Sequence, residues 1–154
     1  MIVYLDSTFV IRQLLGVGKA PAFWGKWEKA YASTLMRTEC FRAANLLRLN
    51  GKIDDAGRAR IGSWIDPVCS TPTQVPVSES IVRRAADAFP VAVGTIQAIH
   101  LATLQELEAT HGVKCELASA DDGLGLAAKA RGFTEATDKP EASADAAKTA
   151  AKEK

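Results

Sequence analysis

Residues 2–8 read IVYLDST, and this stretch decides the fold that the sequence predicts. Its first four residues are apolar or aromatic without the alternation of a half-buried strand. Such a run is typical of a strand buried on both faces of a parallel sheet. The run then meets Asp6, Ser7 and Thr8, whose short polar side chains can cap a helix. We therefore expect a buried parallel strand that leads directly into a helix.

The same pattern of strand followed by helix continues along the chain. Further strands are predicted at residues 30–34, 75–77 and 114–119. Helices are predicted at residues 9–15, 35–49, 54–65, 78–88, 94–110 and 124–129, with Asp66-Pro67 closing the third and Gly132 following the last. Alternating strands and helices favour an α/β sandwich with a mainly parallel sheet.

Length and composition fit one domain followed by a tail. The chain has 154 residues, of which 47% are hydrophobic and 24% are charged, a balance that is typical of globular proteins. Residues 134–154 lack large apolar side chains, so we expect a domain at 1–133 and a flexible Ala/Lys/Glu-rich tail. With 19 basic and 18 acidic residues, the net charge gives no global signal for nucleic acid, and such a site must be a local patch.

The cysteines and the apolar runs favour a cytoplasmic protein. Cys40, Cys69 and Cys115 lack CxxC spacing, so we expect buried thiols and neither a disulfide framework nor a zinc site. The first residues have no basic segment before the apolar run, which is unlike a signal peptide. Residues 91–104 form the longest apolar stretch, and it is too short and too polar to span a bilayer.

Two predicted strands end in an aspartate. Residues 2–5 lead into Asp6, and residues 116–119 lead to Asp121. Ligands of open α/β sheets bind beyond the carboxyl ends of the strands, where both carboxylates would converge if these strands are neighbours. Converging carboxylates favour a neutralising cation such as Mg²⁺. In the alternative interpretation, Asp6 only caps a helix and Asp121 lies in a turn.

Four blocks of the sequence, in order, resemble PIN-domain ribonucleases of the VapC toxin type. They are residues 4–8 (YLDST), 33–43 (STLMRTECFRA), 96–103 (IQAIHLAT) and 117–124 (LASADDGL). Together they extend over nearly all of the chain before the expected tail. The resemblance implies a PIN-like three-layer α/β/α sandwich with a mainly parallel central sheet.

The resemblance also implies an active site. Asp6, Glu39 and Asp121 would be the catalytic residues and would hold Mg²⁺ or Mn²⁺. The third block departs from the family pattern, because Gln97 stands where the family usually has aspartate. Glutamine offers a metal only a neutral carbonyl oxygen, and it cannot act as a base. Accessory roles at this site are expected for Thr8, Arg42, Gln97 and Asp122.

By the same resemblance, the protein is a metal-dependent endoribonuclease toxin that hydrolyses RNA phosphodiester bonds. Its expected substrate is structured RNA with an accessible single strand, such as a tRNA loop. Its expected partners are a cognate antitoxin, which lays a helix into a hydrophobic groove, and a second copy in a homodimer. Two alternatives stay open: a catalytically weakened or inactive PIN-fold module that binds RNA or a partner protein, and an unrelated α/β binder of small molecules or phosphate. The latter lacks support, because the sequence has neither a GxGxxG nor a P-loop pattern.

Other side chains are given structural roles by their surroundings in the sequence. His100, between two apolar residues, is expected to be packed and hydrogen-bonded, although it follows Gln97 by one helical turn. The spacing of Trp24 and Trp27 favours packing over base stacking. The basic residues of the first half form either a solvated surface or a phosphate-binding rim: Lys19, Lys26, Lys29, Arg48, Lys52, Arg58 and Arg60.

Overall fold

The structure, a computed structural model, describes residues 1–138, and within this range it contains one sheet of four parallel strands. The strands are β1 (Ile2–Leu5), β2 (Lys29–Ser33), β3 (Thr73–Val75) and β4 (Glu116–Ala118). Their order across the sheet is β3-β2-β1-β4, so the first strand lies between the second and the fourth. All three pairings are parallel, as the sequence predicts.

Six α-helices accompany the strands in the described part of the chain. They are α1 (Ser7–Leu14), α2 (Leu35–Leu49), α3 (Asp55–Cys69), α4 (Glu79–Ala85), α5 (Thr95–His111) and α6 (Asp122–Ala130). Four of them are preceded by an aspartate or serine whose side chain accepts a backbone N–H of the first turn: Asp6, Asp54, Ser78 and Asp121.

Side chains of β1 alternate between two apolar layers. Val3 and Leu5 pack with residues of α1, α2 and α3 in one cluster. Tyr4, which points to the other face, packs with residues of α5 and α6. Helices therefore cover both faces of the sheet, which explains why β1 is apolar throughout. The result is the predicted three-layer α/β/α sandwich.

The predicted end of the third helix at Asp66-Pro67 is wrong. The helix continues to Cys69 with Pro67 inside it. Proline removes one backbone hydrogen bond there, but Ile65 and Cys69 are both buried in the core, one turn apart. Packing of this apolar face holds the last turn, so tertiary contacts outweigh the local signal. Strand β3 likewise lies two residues earlier than predicted, at Thr73–Val75.

The predicted tail overlaps the folded unit at its start. Thr134 accepts a hydrogen bond from the backbone N–H of Leu117, and the N–H of Ala136 donates to the Leu117 carbonyl, both at 2.8 Å. A bridge between Leu117 and Glu135 runs parallel, along the outer edge of β4. Residues 134–136 thus pair with β4 through the backbone, and such pairing needs no large apolar side chain. Residues 139–154 of the predicted tail lie outside the described residues.

The structure agrees with the expectations for the thiols and for Trp24 and Trp27. All three cysteines are free and buried. Trp24 and Trp27 pack edge to face at 5.4 Å between ring centroids, against the first apolar cluster. Within residues 1–138, no helix combines the length and the apolar composition that crossing a membrane requires.

Candidate active site

Pairing of β1 with β4 places the two predicted aspartates at the same edge of the sheet. Leu5 is in register with Ala118, and the backbone N–H of Asp6 donates to the Ala118 carbonyl at 3.0 Å. The chain reaches Asp121 three residues later. The strands that lead to Asp6 and Asp121 are therefore neighbours, and their carboxyl ends open on one cleft.

Asp6 is buried and heavily hydrogen-bonded. Only 2% of its surface is exposed. One carboxylate oxygen accepts the backbone N–H and the hydroxyl of Thr8, as well as the hydroxyl of Ser119 at 2.9 Å. Asp6 thus caps α1 and belongs to the carboxylate edge at once, so the two interpretations of this residue are compatible.

Glu39 and Asp6 approach the same imidazole nitrogen. The Nε2 atom of His100 lies 3.1 Å from Glu39 Oε2 and 3.3 Å from Asp6 Oδ1. Glu39 reaches this point from α2, with 20% of its side chain exposed, whereas His100 is 1% exposed. Both carboxylates therefore lie close to one buried ring nitrogen.

The pKa of His100 is raised above its ordinary value. Burial lowers it, but the hydrogen bond to Glu39 and the charges of Asp6, Glu39 and Asp121 together outweigh burial. The other ring nitrogen, Nδ1, lies 2.7 Å from the hydroxyl of Tyr4 on β1. His100 is thus packed and hydrogen-bonded, as expected, but its partners are the residues of the candidate site.

Gln97 also lies at this site, where it contacts the third carboxylate. Its amide nitrogen donates to Asp121 Oδ2 at 2.9 Å. The other oxygen of Asp121 accepts the backbone N–H of Leu124 at 2.9 Å, which caps α6. The hydrogen bond from Gln97, followed by that from Leu124, lowers the pKa of Asp121.

The remaining accessory residues differ in their positions. Thr8 lies in the site, where its hydroxyl contacts Asp6 and accepts the backbone N–H of Ala120 at 3.0 Å. Arg42 is exposed on α2 and lies within ion-pair distance of no carboxylate among residues 1–138. Asp122 is exposed in the first turn of α6. The structure therefore places Thr8 beside the carboxylates and leaves Arg42 and Asp122 in solvent.

Donor chemistry at this edge fits a hard divalent cation. Asp6, Glu39 and Asp121 supply carboxylate oxygens, and Mg²⁺ is often held by one or two carboxylates with water completing its shell. Asp6 and Glu39 already approach one point, at His100 Nε2. Among residues 1–138, no three acidic, histidine or cysteine side chains surround a single point closely enough to form a ready metal site. The donor set fits Mg²⁺ or Mn²⁺, although the third carboxylate is turned to Gln97.

Tyr4 and Ser119 take part in the site without having been singled out by the sequence. Ser119 bridges Asp6 and the backbone N–H of Asp121, at 2.9 and 3.0 Å. Its position two residues before Asp121, in a Ser/Thr-x-Asp motif, is the signal that could have found it. Tyr4 reads as an ordinary strand residue, so no local signal indicates its contact with His100.

Comparisons with known proteins bear on the fold. No protein-family profile matches the chain, and no curated protein matches it. Among solved structures, it is similar to VapC20 of Mycobacterium tuberculosis, described as a sarcin–ricin loop cleaving toxin. The TM-score is 0.58 at 15% sequence identity, over 89% of this chain and 99% of the VapC20 chain. The chain therefore has a PIN-like fold of the kind seen in VapC toxins, as the four sequence blocks implied.

Proposed function

We propose that this protein is a metal-dependent endoribonuclease that hydrolyses RNA phosphodiester bonds. The observation that carries the proposal is the meeting of Asp6 and Glu39 at one buried point, beside Asp121, on the carboxyl edge of a PIN-like sheet. Bringing three carboxylates together costs free energy, because their negative charges repel each other. Their assembly from distant parts of the chain therefore favours a function that uses this charge. Asp6, Glu39 and Asp121 are the proposed catalytic and metal-binding residues.

Mg²⁺ or Mn²⁺ bound by these carboxylates would activate a water and stabilise charge on the phosphate oxygens. The residues of the chain prepare that chemistry. Ser119 and Thr8 fix the orientation of Asp6 through hydrogen bonds to one of its oxygens. Gln97 orients Asp121 and lowers its pKa, which keeps the carboxylate ionised. His100 holds a proton at Nε2, between Asp6 and Glu39.

Structured RNA with an accessible single strand is the proposed substrate class. The solved structure to which the chain is similar belongs to a toxin that cleaves the sarcin–ricin loop. An exposed loop of a folded RNA has unstacked bases and a reachable backbone, which a shallow protein edge can bind. A tRNA loop or a ribosomal RNA loop belongs to this class.

The same likeness supports the proposed partners. We expect a cognate antitoxin whose helix binds a hydrophobic groove, and a second copy of the chain in a homodimer. One apolar groove of about 550 Å³ lies between α4 and α5, the helix that carries Gln97. A ribonuclease toxin of this kind acts in the cytoplasm, where its RNA substrates are.

A second candidate function is an RNA- or partner-binding module that has lost catalysis. It is favoured by the contact of Gln97 with Asp121, since an amide takes the place of an expected fourth carboxylate. Such a module would bind RNA but would not cleave it, with or without divalent metal.

The test is an RNA cleavage assay with a folded RNA that contains a single-stranded loop, in Mg²⁺, in Mn²⁺ and in EDTA. We expect metal-dependent cleavage by the parent protein, lost in Asp6→Asn. Glu108→Gln, which changes an exposed acid at the far end of α5, is the matched control and should cleave like the parent. If the parent cleaves RNA neither in Mg²⁺ nor in Mn²⁺, the proposed function is contradicted.

A further inference from the structure

A polar cleft of about 490 Å³ lies on the outer side of α2 and α3. We call it the arginine cleft, and it is lined by Arg37, Thr38, Phe41, Arg42, Asn45 and Arg58. Three of its six side chains are guanidinium groups, and none is acidic. In a chain whose basic and acidic residues nearly balance, this is a local concentration of positive charge.

The aromatic ring of Phe41 holds two of the arginines in place. The guanidinium carbon of Arg37 lies 4.7 Å from the ring centroid, and that of Arg58 lies 5.3 Å from it. Stacking on a ring occupies the flat face of a guanidinium and leaves its N–H edge for other partners. The two arginines are therefore ordered before a ligand arrives, which lowers the entropy cost of binding.

Most of this charge is not neutralised within the described residues. Arg37 forms an ion pair with Asp66, at 2.6 Å between Nε and Oδ1. Arg42 and Arg58 have no carboxylate within ion-pair distance among residues 1–138. Guanidiniums gathered around one cleft repel each other, and an anion bound among them removes that repulsion.

The arginine cleft shares helix α2 with the candidate active site. Helix α2 carries both Glu39 and the cleft residues Thr38 and Arg42. Arg42 lies about one turn beyond Glu39, on an adjoining face of the helix. A nucleic-acid strand that passes Glu39 can therefore continue along α2 into the cleft.

We propose that the arginine cleft binds a phosphodiester of the RNA substrate, at a position next to the phosphate that is cut. Guanidinium forks match phosphate oxygens in pairs, and Thr38 and Asn45 add neutral donors to the lining. This inference rests on the proposed function for its choice of ligand. It assigns the substrate strand a direction across the protein, from the carboxylate edge along α2 to α3.

The first experiment measures RNA binding without cleavage. Fluorescence anisotropy in EDTA would follow a labelled single-stranded RNA over a series of salt concentrations, for the parent and for Arg42→Gln/Arg58→Gln. We expect the affinity to fall about tenfold at low salt, and the slope of log affinity against log salt to decrease by about 1.4 for two lost phosphate contacts.

The matched control is Arg48→Gln/Arg60→Gln, which removes the same charge from exposed positions of α2 and α3 outside the cleft. We expect it to change the affinity less than threefold, by the screened effect of net charge alone. An equal loss of affinity in both double variants would overturn the proposed site. Unchanged affinity in the cleft variant would overturn it too, and would direct attention to an acidic protein segment as the occupant.

A second variant gains function and so does not depend on a damaged fold. Asp66→Asn releases Arg37 from its ion pair, and we expect RNA affinity in EDTA to rise about threefold through one freed guanidinium. A fall or no change would count against the cleft.

Failure of the parent to cleave RNA in Mg²⁺ or Mn²⁺, with cleft-dependent binding intact, would refute the nuclease proposal and leave the RNA site. Cleavage by the parent with cleft-independent binding would refute the cleft alone.

Discussion

The amide nitrogen of Gln97 lies 2.9 Å from Oδ2 of Asp121, and this hydrogen bond ties α5 to the start of α6. The amide stabilises the charge of Asp121 without bringing a charge of its own. In this arrangement the third carboxylate of the candidate site is oriented by a neutral donor. The identity of residue 97 should therefore affect both metal affinity and the stability of the metal-free protein.

Gln97→Asp should raise metal affinity. An anionic oxygen at this position would join the carboxylates of Asp6, Glu39 and Asp121, and hard cations prefer such ligands. We expect the affinity for Mn²⁺ to increase about tenfold, the scale on which neighbours of metal ligands act. RNA cleavage should increase with it. Calorimetric titration with Mn²⁺ and the initial rate of cleavage measure the two effects.

Gln97→Ala is the control for this substitution. Both variants lose the donor to Asp121 and should be less stable without metal by about 1–3 kcal/mol, the scale of a hydrogen bond to a charged group. Only the aspartate variant should gain metal affinity. Equal affinities for Mn²⁺ in the two variants would show that residue 97 does not face the metal.

Stability of the metal-free protein should depend on the protonation of His100. The folded protein raises the pKa of His100, because the hydrogen bond to Glu39 and three nearby carboxylates outweigh burial. The contribution of the imidazolium is therefore fully present below its unfolded pKa of about 6.5, and it is lost as the pH rises through the raised folded value. Urea unfolding in EDTA, between about pH 6 and pH 9, should show a falling free energy of unfolding.

His100→Asn identifies the source of that pH dependence. Asparagine does not titrate, so the part of the decline that is due to His100 should be absent from the variant and should appear as the difference between the two proteins. The variant should also be less stable, most of all at low pH, since Asp6 and Glu39 then lack the imidazolium that contacts both of them. A pH dependence identical in both proteins would mean that His100 does not gain a proton on folding.

Asp121 has a structural role that can be separated from its proposed role at the metal. Its Oδ1 atom caps α6 by accepting the N–H of Leu124. Asparagine is as good a cap as aspartate, so Asp121→Asn should change stability by less than about 1 kcal/mol, whereas Asp121→Ala should cost more, because it loses about 1 kcal/mol of capping and also the hydrogen bond from Gln97, worth about 1–3 kcal/mol. Both should lose RNA cleavage. Thermal melts and the cleavage assay, run on both variants, measure the two effects. RNA cleavage by Asp121→Asn would show that Asp121 is not a catalytic residue.

The end of the folded unit should lie after residue 136. Truncation after Asp138 removes residues whose sequence has no large apolar side chain, and the melting temperature should stay within about 2 °C of the parent. Truncation after Phe133 also removes the two backbone hydrogen bonds to Leu117, and it should lower the melting temperature by several degrees. A large loss of stability on truncation after Asp138 would mean that residues 139–154 stabilise the domain.

Most of the fold was predictable from the sequence because its signals are local. The apolar run at residues 2–5 indicated a strand covered on both faces, and Asp6 and Ser78 marked helix starts that the structure has. The end of α3 was predicted wrongly. Pro67 is a strong local signal, but burial of Ile65 and Cys69 decides where that helix ends.

The contacts within the site were less predictable, because they depend on strand order and register. Sequence spacing cannot show that β1 lies next to β4, which is what brings Asp6 near Ser119. It also cannot show that His100 faces Asp6 and Glu39, since a histidine between apolar residues is most often a packed one. Asp6 and Asp121 were indicated by the ends of two predicted strands, and Glu39 by the family resemblance; the role of all three at a metal is still a prediction.

The proposed metal site is tested by the number of Mn²⁺ ions that the protein binds, measured by electron paramagnetic resonance of free Mn²⁺ during a titration. We predict one Mn²⁺ per chain for the parent and for Glu108→Gln, with binding weakened about tenfold or more in Asp6→Asn and Glu39→Gln. Equal Mn²⁺ binding in the parent and in Asp6→Asn, or none in the parent, would contradict the claim that these carboxylates form a metal site.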